Sequence, residues 1–128
     1  MYKLFFDGSV RNGVAYYGYV IYHNDKKIHS NCGVLLHEDN SSIAEYVGLI
    51  YGLKRVIELK GPTKEAVHIF GDSLLIIQHL KKKQIKSKKL LPVFEETKLL
   101  LLQLNWSIAW IPSKNNSEAH KMARSINA

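Results

Sequence analysis

The chain has 128 residues, which suits one domain, because two separate cores would need more length. Hydrophobic residues make up 46% and charged residues 23%, a balance that excludes a wholly disordered chain. With 18 Lys and Arg against 11 Asp and Glu the net charge is +7, and the surplus is not spread evenly.

Tyr2 to Phe6 is β-prone, and Asp7-Gly8-Ser9 after it reads as a turn. Tyr16 to His23 is rich in aromatic and β-branched residues, Asn24-Asp25 marks a tight turn, and Lys26 to Leu36 reads as the returning strand. Three strands with short turns predict an antiparallel meander. Ser41 or Ser42 then caps a helix, with Glu45 in its first turn completing a capping box with Ser42. Tyr46, Leu49, Ile50, Leu53, Val56 and Ile57 follow at helical spacing. Gly48 and Gly52 interrupt that helix, and two glycines four apart predict a close approach to a sheet. Lys60-Gly61-Pro62 ends it.

Ala66 to Phe70 reads as a short buried strand, and a second helix follows Gly71-Asp72-Ser73. Lys81, Lys82, Lys83, Lys86, Lys88 and Lys89 come next with no acid between them; without these lysines the balance falls to +1. The patch reads either as a phosphate-backbone contact or as a solvated loop. Pro92 opens a third helix through Leu104, and Ser107 to Ile111 is a last strand. Asn115-Asn116-Ser117 offers caps for a terminal helix with Ala119, Met122, Ala123 and Ile126 on one face. The order β-β-β-α-β-α-α-β-α predicts an α/β fold with a mixed sheet, organised as one domain over residues 1–128.

No apolar stretch reaches the roughly 18 residues needed to span a bilayer, and the opening residues carry no signal-peptide core. Cys32 stands alone, which rules out an internal disulfide or a cysteine zinc cluster and fits a reducing setting. A cytoplasmic monomer is expected, with no membrane contact and no obligate protein partner. Cys32 is read as a small buried residue. His23, His29, His37, His68 and His79 show no metal-ligand spacing and are read as surface or loop residues. Trp106 and Trp110 are read as packing.

Three acids stand at strand ends or a helix start. Asp7 closes the first strand, Asp72 the fourth, and Glu45 opens the long helix. Such ends converge at one edge of an open α/β sheet, where ligands bind. Gathered carboxylates repel one another and suit Mg²⁺ or Mn²⁺. Taken singly, Asp7 also reads as a turn residue, Glu45 as a capping-box partner and Asp72 as an N-cap.

Four fragments in order resemble ribonuclease H of type 1: Phe5-Phe6-Asp7-Gly8-Ser9, Ala44-Glu45-Tyr46, Gly71-Asp72-Ser73-Leu74, and Trp110-Ile111-Pro112 followed by Asn116-Ser117-Glu118-Ala119-His120 and Met122-Ala123. The resemblance covers nearly the whole chain and is to compact members without a long basic protrusion. It implies a five-stranded sheet with strands one to three antiparallel. It implies two-metal hydrolysis of the RNA strand of an RNA–DNA hybrid, leaving 5′-phosphate and 3′-hydroxyl ends. Asp7, Glu45 and Asp72 carry over as catalytic metal ligands.

His120 stands where the family usually has a fourth Asp. It is read as a further catalytic and metal-binding position that binds the second ion or shuttles a proton, with a helix-surface histidine of no role as the alternative, and an imidazole there favours Mn²⁺ or Zn²⁺ over Mg²⁺. Gly8, Ser9, Asn12, Ser41, Ser42, Ser73 and Asn116 are read as nucleic-acid contacts, with Ser41 and Ser42 in place of the asparagines common in the family. Lys81, Lys82, Lys83 and Lys86 are read as phosphate contacts. With no hybrid-binding domain read ahead of Met1, they form the main electrostatic handle. The alternative is a nucleic-acid-binding module whose site no longer cleaves.

Overall fold

The computed structural model describes residues 1–125, so the expectation for Ile126 lies outside the described residues. Strands β1 (Tyr2–Arg11), β2 (Val14–His23) and β3 (Lys26–Leu35) form the meander. Its turns are Asn12-Gly13, with φ of 52° and 73°, and Asn24-Asp25, with φ of 51° and 66°. Paired left-handed residues are what a two-residue hairpin needs to match strand twist. The turn expected at Asp7-Gly8-Ser9 is absent. β1 continues through those residues because Gly8 serves a different purpose: it lies under a helix.

That helix, α1, spans Ser41–Lys60. Its N-cap is Asn40, whose Oδ1 accepts the Ile43 N–H at 3.0 Å, one residue before Ser41 and two before Ser42, the expected caps. Glu45 therefore sits in the second turn, and no capping box forms. Gly61, at φ 61°, closes the helix where Lys60-Gly61-Pro62 predicted. Next come β4 (Ala66–Gly71), α2 (Leu74–Lys82), α3 (Leu91–Leu101) and β5 (Asn105–Trp110). A short 3₁₀ turn (Ser113–Asn115) leads into α4 (Ser117–Ala123).

The strand order is β3-β2-β1-β4-β5. β1, β2 and β3 pair antiparallel, while β4 runs parallel to both β1 and β5. This is the mixed five-stranded sheet expected. On one face, Leu4, Phe6, Ile21, Val67 and Ile69 pack into a core with Leu49 and Leu53 of α1, Ile76 and Leu80 of α2, and Phe94 of α3. α4 crosses the other face. A Cβ on Gly18 would lie 2.7 Å from Met122 C, so only glycine lets α4 rest on β2.

Several polar expectations change with packing. Tyr46 Oη and His79 Nδ1 lie 2.8 Å apart and bridge α1 to α2, with Phe94 edge-on to the ring, so His79 is a packing residue rather than a surface one. His29 Nε2 meets Tyr19 Oη at 3.0 Å and accepts from Arg55 Nε at 3.3 Å. Cys32 is half-buried because β3 is an edge strand; its Sγ lies 3.0 Å from Ser125 Oγ. Among the described residues no helix is long and apolar enough to cross a membrane.

The two glycines of α1 make the close approach that their spacing predicts. A Cβ on Gly48 would stand 2.8 Å from the Asp7 carbonyl oxygen and 3.0 Å from that of Gly18; one on Gly52 would stand 2.6 Å from Leu4 Cδ1. Glycine to alanine in an open helix gains up to about 1 kcal/mol. At Gly48 the obstacle is backbone, so the sign reverses. Gly48→Ala lowers the unfolding free energy by about 1–3 kcal/mol, measured by urea denaturation.

Candidate active site

β1 and β4 stay paired only as far as Phe5 and Phe70. Asp7 and Asp72 each lie two residues beyond that last pair, where the strands part. The sheet edge thus supplies two carboxylates at matched heights. Glu45 comes from above. A Cβ on Gly8 would lie against the Glu45 nitrogen and 2.5 Å from Ala44 C, so the start of α1 rests directly on the β1 backbone. Ligand oxygens of Asp7, Glu45 and Asp72 all fall within 4.8 Å of one another.

The charges are frustrated in this arrangement. Asp7 is 4% exposed; burial raises its pKa, the nearby Asp72 raises it further, and a hydrogen bond from His120 partly offsets both. Burial, then Asp7 and Asp72, push Glu45 up to about 8, although the Ser73 hydroxyl bonds its carboxylate. A divalent cation would relieve all three. Hard oxygen donors of this kind fit Mg²⁺ or Mn²⁺. His120 Nδ1–H donates to Asp7 Oδ2 at 2.9 Å, since an ionised carboxylate only accepts. Its Nε2 then accepts from Arg124 Nη1 at 3.4 Å.

These groups line an open cleft of about 590 Å³ with Gly8, Ser41, Ser113, Lys114, Ser117 and Lys121. The sequence alone does not single out Ser113, Lys114 and Lys121, and it offers Ser117 only as a helix cap within a motif fragment. Their one signal is position, between and beside the Trp-Ile-Pro and Ala-His fragments. Trp110 is half-exposed, and its indole Nε1–H donates to the Asp72 carbonyl at 3.1 Å, which ties β5 to the carboxylate loop.

The expected nucleic-acid contacts divide. Gly8 and Ser41 line the cleft. Ser73 is the α2 N-cap, accepting from Ile76 N at 3.4 Å while it holds Glu45. Ser42 is half-buried on α1 and is not part of the cleft wall. Three more lie off the cleft wall. The Ser9 hydroxyl is buried and has no hydrogen-bond partner in the protein. Asn12 is exposed at the hairpin tip, five residues along an extended strand from Asp7, or roughly 16 Å at strand rise, so it lies away from the carboxylates. Asn116 is 1% exposed and donates through Nδ2 to the Phe6 carbonyl at 2.9 Å; it faces the protein interior.

Lys81, Lys82, Lys83, Lys86, Lys88 and Lys89 are all exposed. Lys83 adopts φ 56° to end α2. Lys89 Nζ lies 3.8 Å from Glu38, just ahead of the α1 cap. The lysine loop therefore returns to the end of the molecule that carries Glu45.

The reverse transcriptase-like family model matches residues 5–126, and the chain belongs to that family. Solved structures share the ribonuclease H fold. The N-terminal RNase H domain of rv2228c from Mycobacterium tuberculosis superimposes with a TM-score of 0.86 at 24% identity, over 97% of this chain and 91% of that one. RNase H1 from Halobacterium salinarum gives 0.86 at 22% identity, over 97% and 95%. LC11-RNase H1 in complex with RNA/DNA hybrid gives 0.88 at 20% identity, over 98% and 95%.

A pH dependence follows from Glu45. Between about 4.5 and about 8 the folded chain keeps a proton that the unfolded chain has lost. The folded state binds more protons, so stability falls as pH rises through that window and levels off above it. Thermal unfolding followed by circular dichroism in chelator shows this slope. Mn²⁺ or Glu45→Gln flattens it.

Proposed function

We propose that this protein is a ribonuclease H, a single domain over residues 1–128 that hydrolyses the RNA strand of RNA–DNA hybrids. The observation that carries this reading is the trio of carboxylates within 4.8 Å of one another where β1 and β4 part. Membership of the reverse transcriptase-like family supports it, as does the fold shared with a ribonuclease H1 solved on RNA/DNA hybrid. Asp7, Glu45 and Asp72 would hold two Mg²⁺ or Mn²⁺ ions, with His120 beside Asp7 as the fourth residue of the site. When bound, the ions activate water and stabilise the leaving oxygen of an in-line displacement, leaving 5′-phosphate and 3′-hydroxyl ends.

The chain's own groups do the rest. Ser73 and the α2 cap hold Glu45 in place. His120 orients Asp7. Gly8 seats the start of α1 on the β1 main chain and so holds Glu45 at the cleft. The Ser41 hydroxyl, exposed on the cleft wall, is suited to a ribose 2′-OH, the group that separates RNA from DNA. Lys81, Lys82, Lys83 and Lys86 take phosphates of the paired strand. The enzyme is read as a cytoplasmic monomer, where a lone Cys32 stays reduced.

Cleavage of an end-labelled hybrid in Mg²⁺, in Mn²⁺ and in chelator tests the reading, with RNA and DNA duplexes as controls. Metal-dependent cutting of the RNA strand alone is expected. Metal anchoring contributes several kcal/mol to the transition state, so Asp72→Asn lowers turnover by about a hundredfold or more while the fold persists. Hybrid binding without cutting in any metal would replace this reading with the binding module.

Hybrid affinity measured against salt in the Asp72→Asn background tests the lysine loop. Replacing Lys81, Lys82 and Lys83 with Ala reduces the log–log salt slope by about one for each phosphate no longer neutralised.

A further inference from the structure

Among the described residues, Asn116 is the most deeply buried polar side chain near the cleft that binds none of the reacting groups. It is 1% exposed. Its backbone is held at both ends: Asn116 N–H donates to the Ser113 carbonyl at 3.0 Å, and its own carbonyl accepts from His120 N–H at 3.0 Å. The side chain makes one hydrogen bond, from Nδ2 to the Phe6 carbonyl, across 110 residues of sequence. Oδ1 is buried and unpaired.

The place of that bond matters more than its strength. Phe6 is the first β1 residue beyond the last β1–β4 pair and the residue before Asp7. Asn116 and His120 are four apart at the start of α4, so they share one face of the helix. One end of that face grips Phe6, and the other reaches Asp7 at 2.9 Å. Two adjacent β1 residues thus meet two adjacent turns of α4. α4 has seven residues, and helices below about 12–15 residues are marginal without outside support. A fixed point at its entry therefore decides where His120 stands.

We propose that Asn116 is a positioning residue that clamps the start of α4 to the end of β1 and so sets His120 against Asp7. Its effect on cleavage rests on the ribonuclease reading; its effect on His120 does not. The residue must donate a hydrogen bond in a dry site at the entry to a helix. A serine there is too short to reach Phe6, and a leucine cannot donate at all. Outer partners that orient the groups of a metal site cost about 10–100-fold in metal affinity or activity when removed.

The first measurement needs no catalysis. Nitrogen-15 spectra of the His120 imidazole, taken at one fixed pH in metal-free protein, report which ring nitrogen carries the proton. The wild type gives the Nδ1–H form imposed by Asp7. Asn116→Leu gives the mixed forms of an unconstrained ring, with cooperative unfolding retained; Asn116→Ser serves the same purpose if the leucine variant does not fold. Unchanged His120 signals in the variant overturn the proposal.

The second measurement is hybrid cleavage. Asn116→Leu lowers kcat by about 10–100-fold with KM little changed. In a His120→Ala background the same substitution has little further effect, because the group it positions is gone. A full, additive loss in that background overturns the proposal and makes Asn116 merely structural. If the wild type cleaves nothing, the ribonuclease reading falls, and the imidazole spectra alone decide the role of Asn116.

Discussion

The structure depends on a backbone-to-backbone contact between α1 and the first two strands. At Gly8 and Gly48 the two main chains approach so closely that a single methyl group would collide with peptide atoms. Close-packed interiors accommodate such an insertion only by moving a whole element. Were α1 lifted by the thickness of a side chain, Glu45 would leave the other carboxylates, and the core beneath Leu49 and Leu53 would open. Fold and site therefore share one constraint. The same glycines seat the helix and set the height of the carboxylate it carries.

Charge is handled in the opposite way to packing. The core is satisfied as it stands; the cleft is not. Asp7 is nearly buried beside two other acids, with one imidazole to offset them. Part of the folding free energy goes into holding these groups away from water and close to each other. A bound cation restores that free energy, which is why mutual repulsion among ligands is compatible with a stable holo form. Lys114 and Lys121 also line the cleft, and Lys121 Nζ lies 3.8 Å from Glu118.

Much of this is legible in the sequence. The element order, the mixed sheet and the convergence of Asp7, Glu45 and Asp72 follow from periodicity, turn residues and four motif fragments. Where sequence and structure part, the reasons are local. Asp7-Gly8-Ser9 has the composition of a turn, and nothing nearby says that a helix 36 residues later needs the glycine flat in a strand. Asn12-Gly13 carries the stronger hairpin signal but sits in a stretch with the composition of a loop. Asn40 and Ser41 are equally good caps on paper; the structure chooses the asparagine. Asn116 reads as a ligand contact because polar residues in a motif look functional, and only burial reveals that it faces inward. Lys114 and Lys121 reach the cleft through tertiary structure alone.

The cleft has two walls of unequal origin. The carboxylates stand on β1, just past the end of β4, and on α1, elements whose side chains run through the main core. His120 stands on seven residues of helix laid across the opposite face of the sheet. A helix of that length keeps its place through its contacts with the sheet rather than through its own hydrogen bonds: Ala119 and Ala123 are buried, and Gly18 lies beneath Met122. The imidazole is thus only as fixed as the seating of α4 on β1 and β2, whereas the carboxylates share the main core.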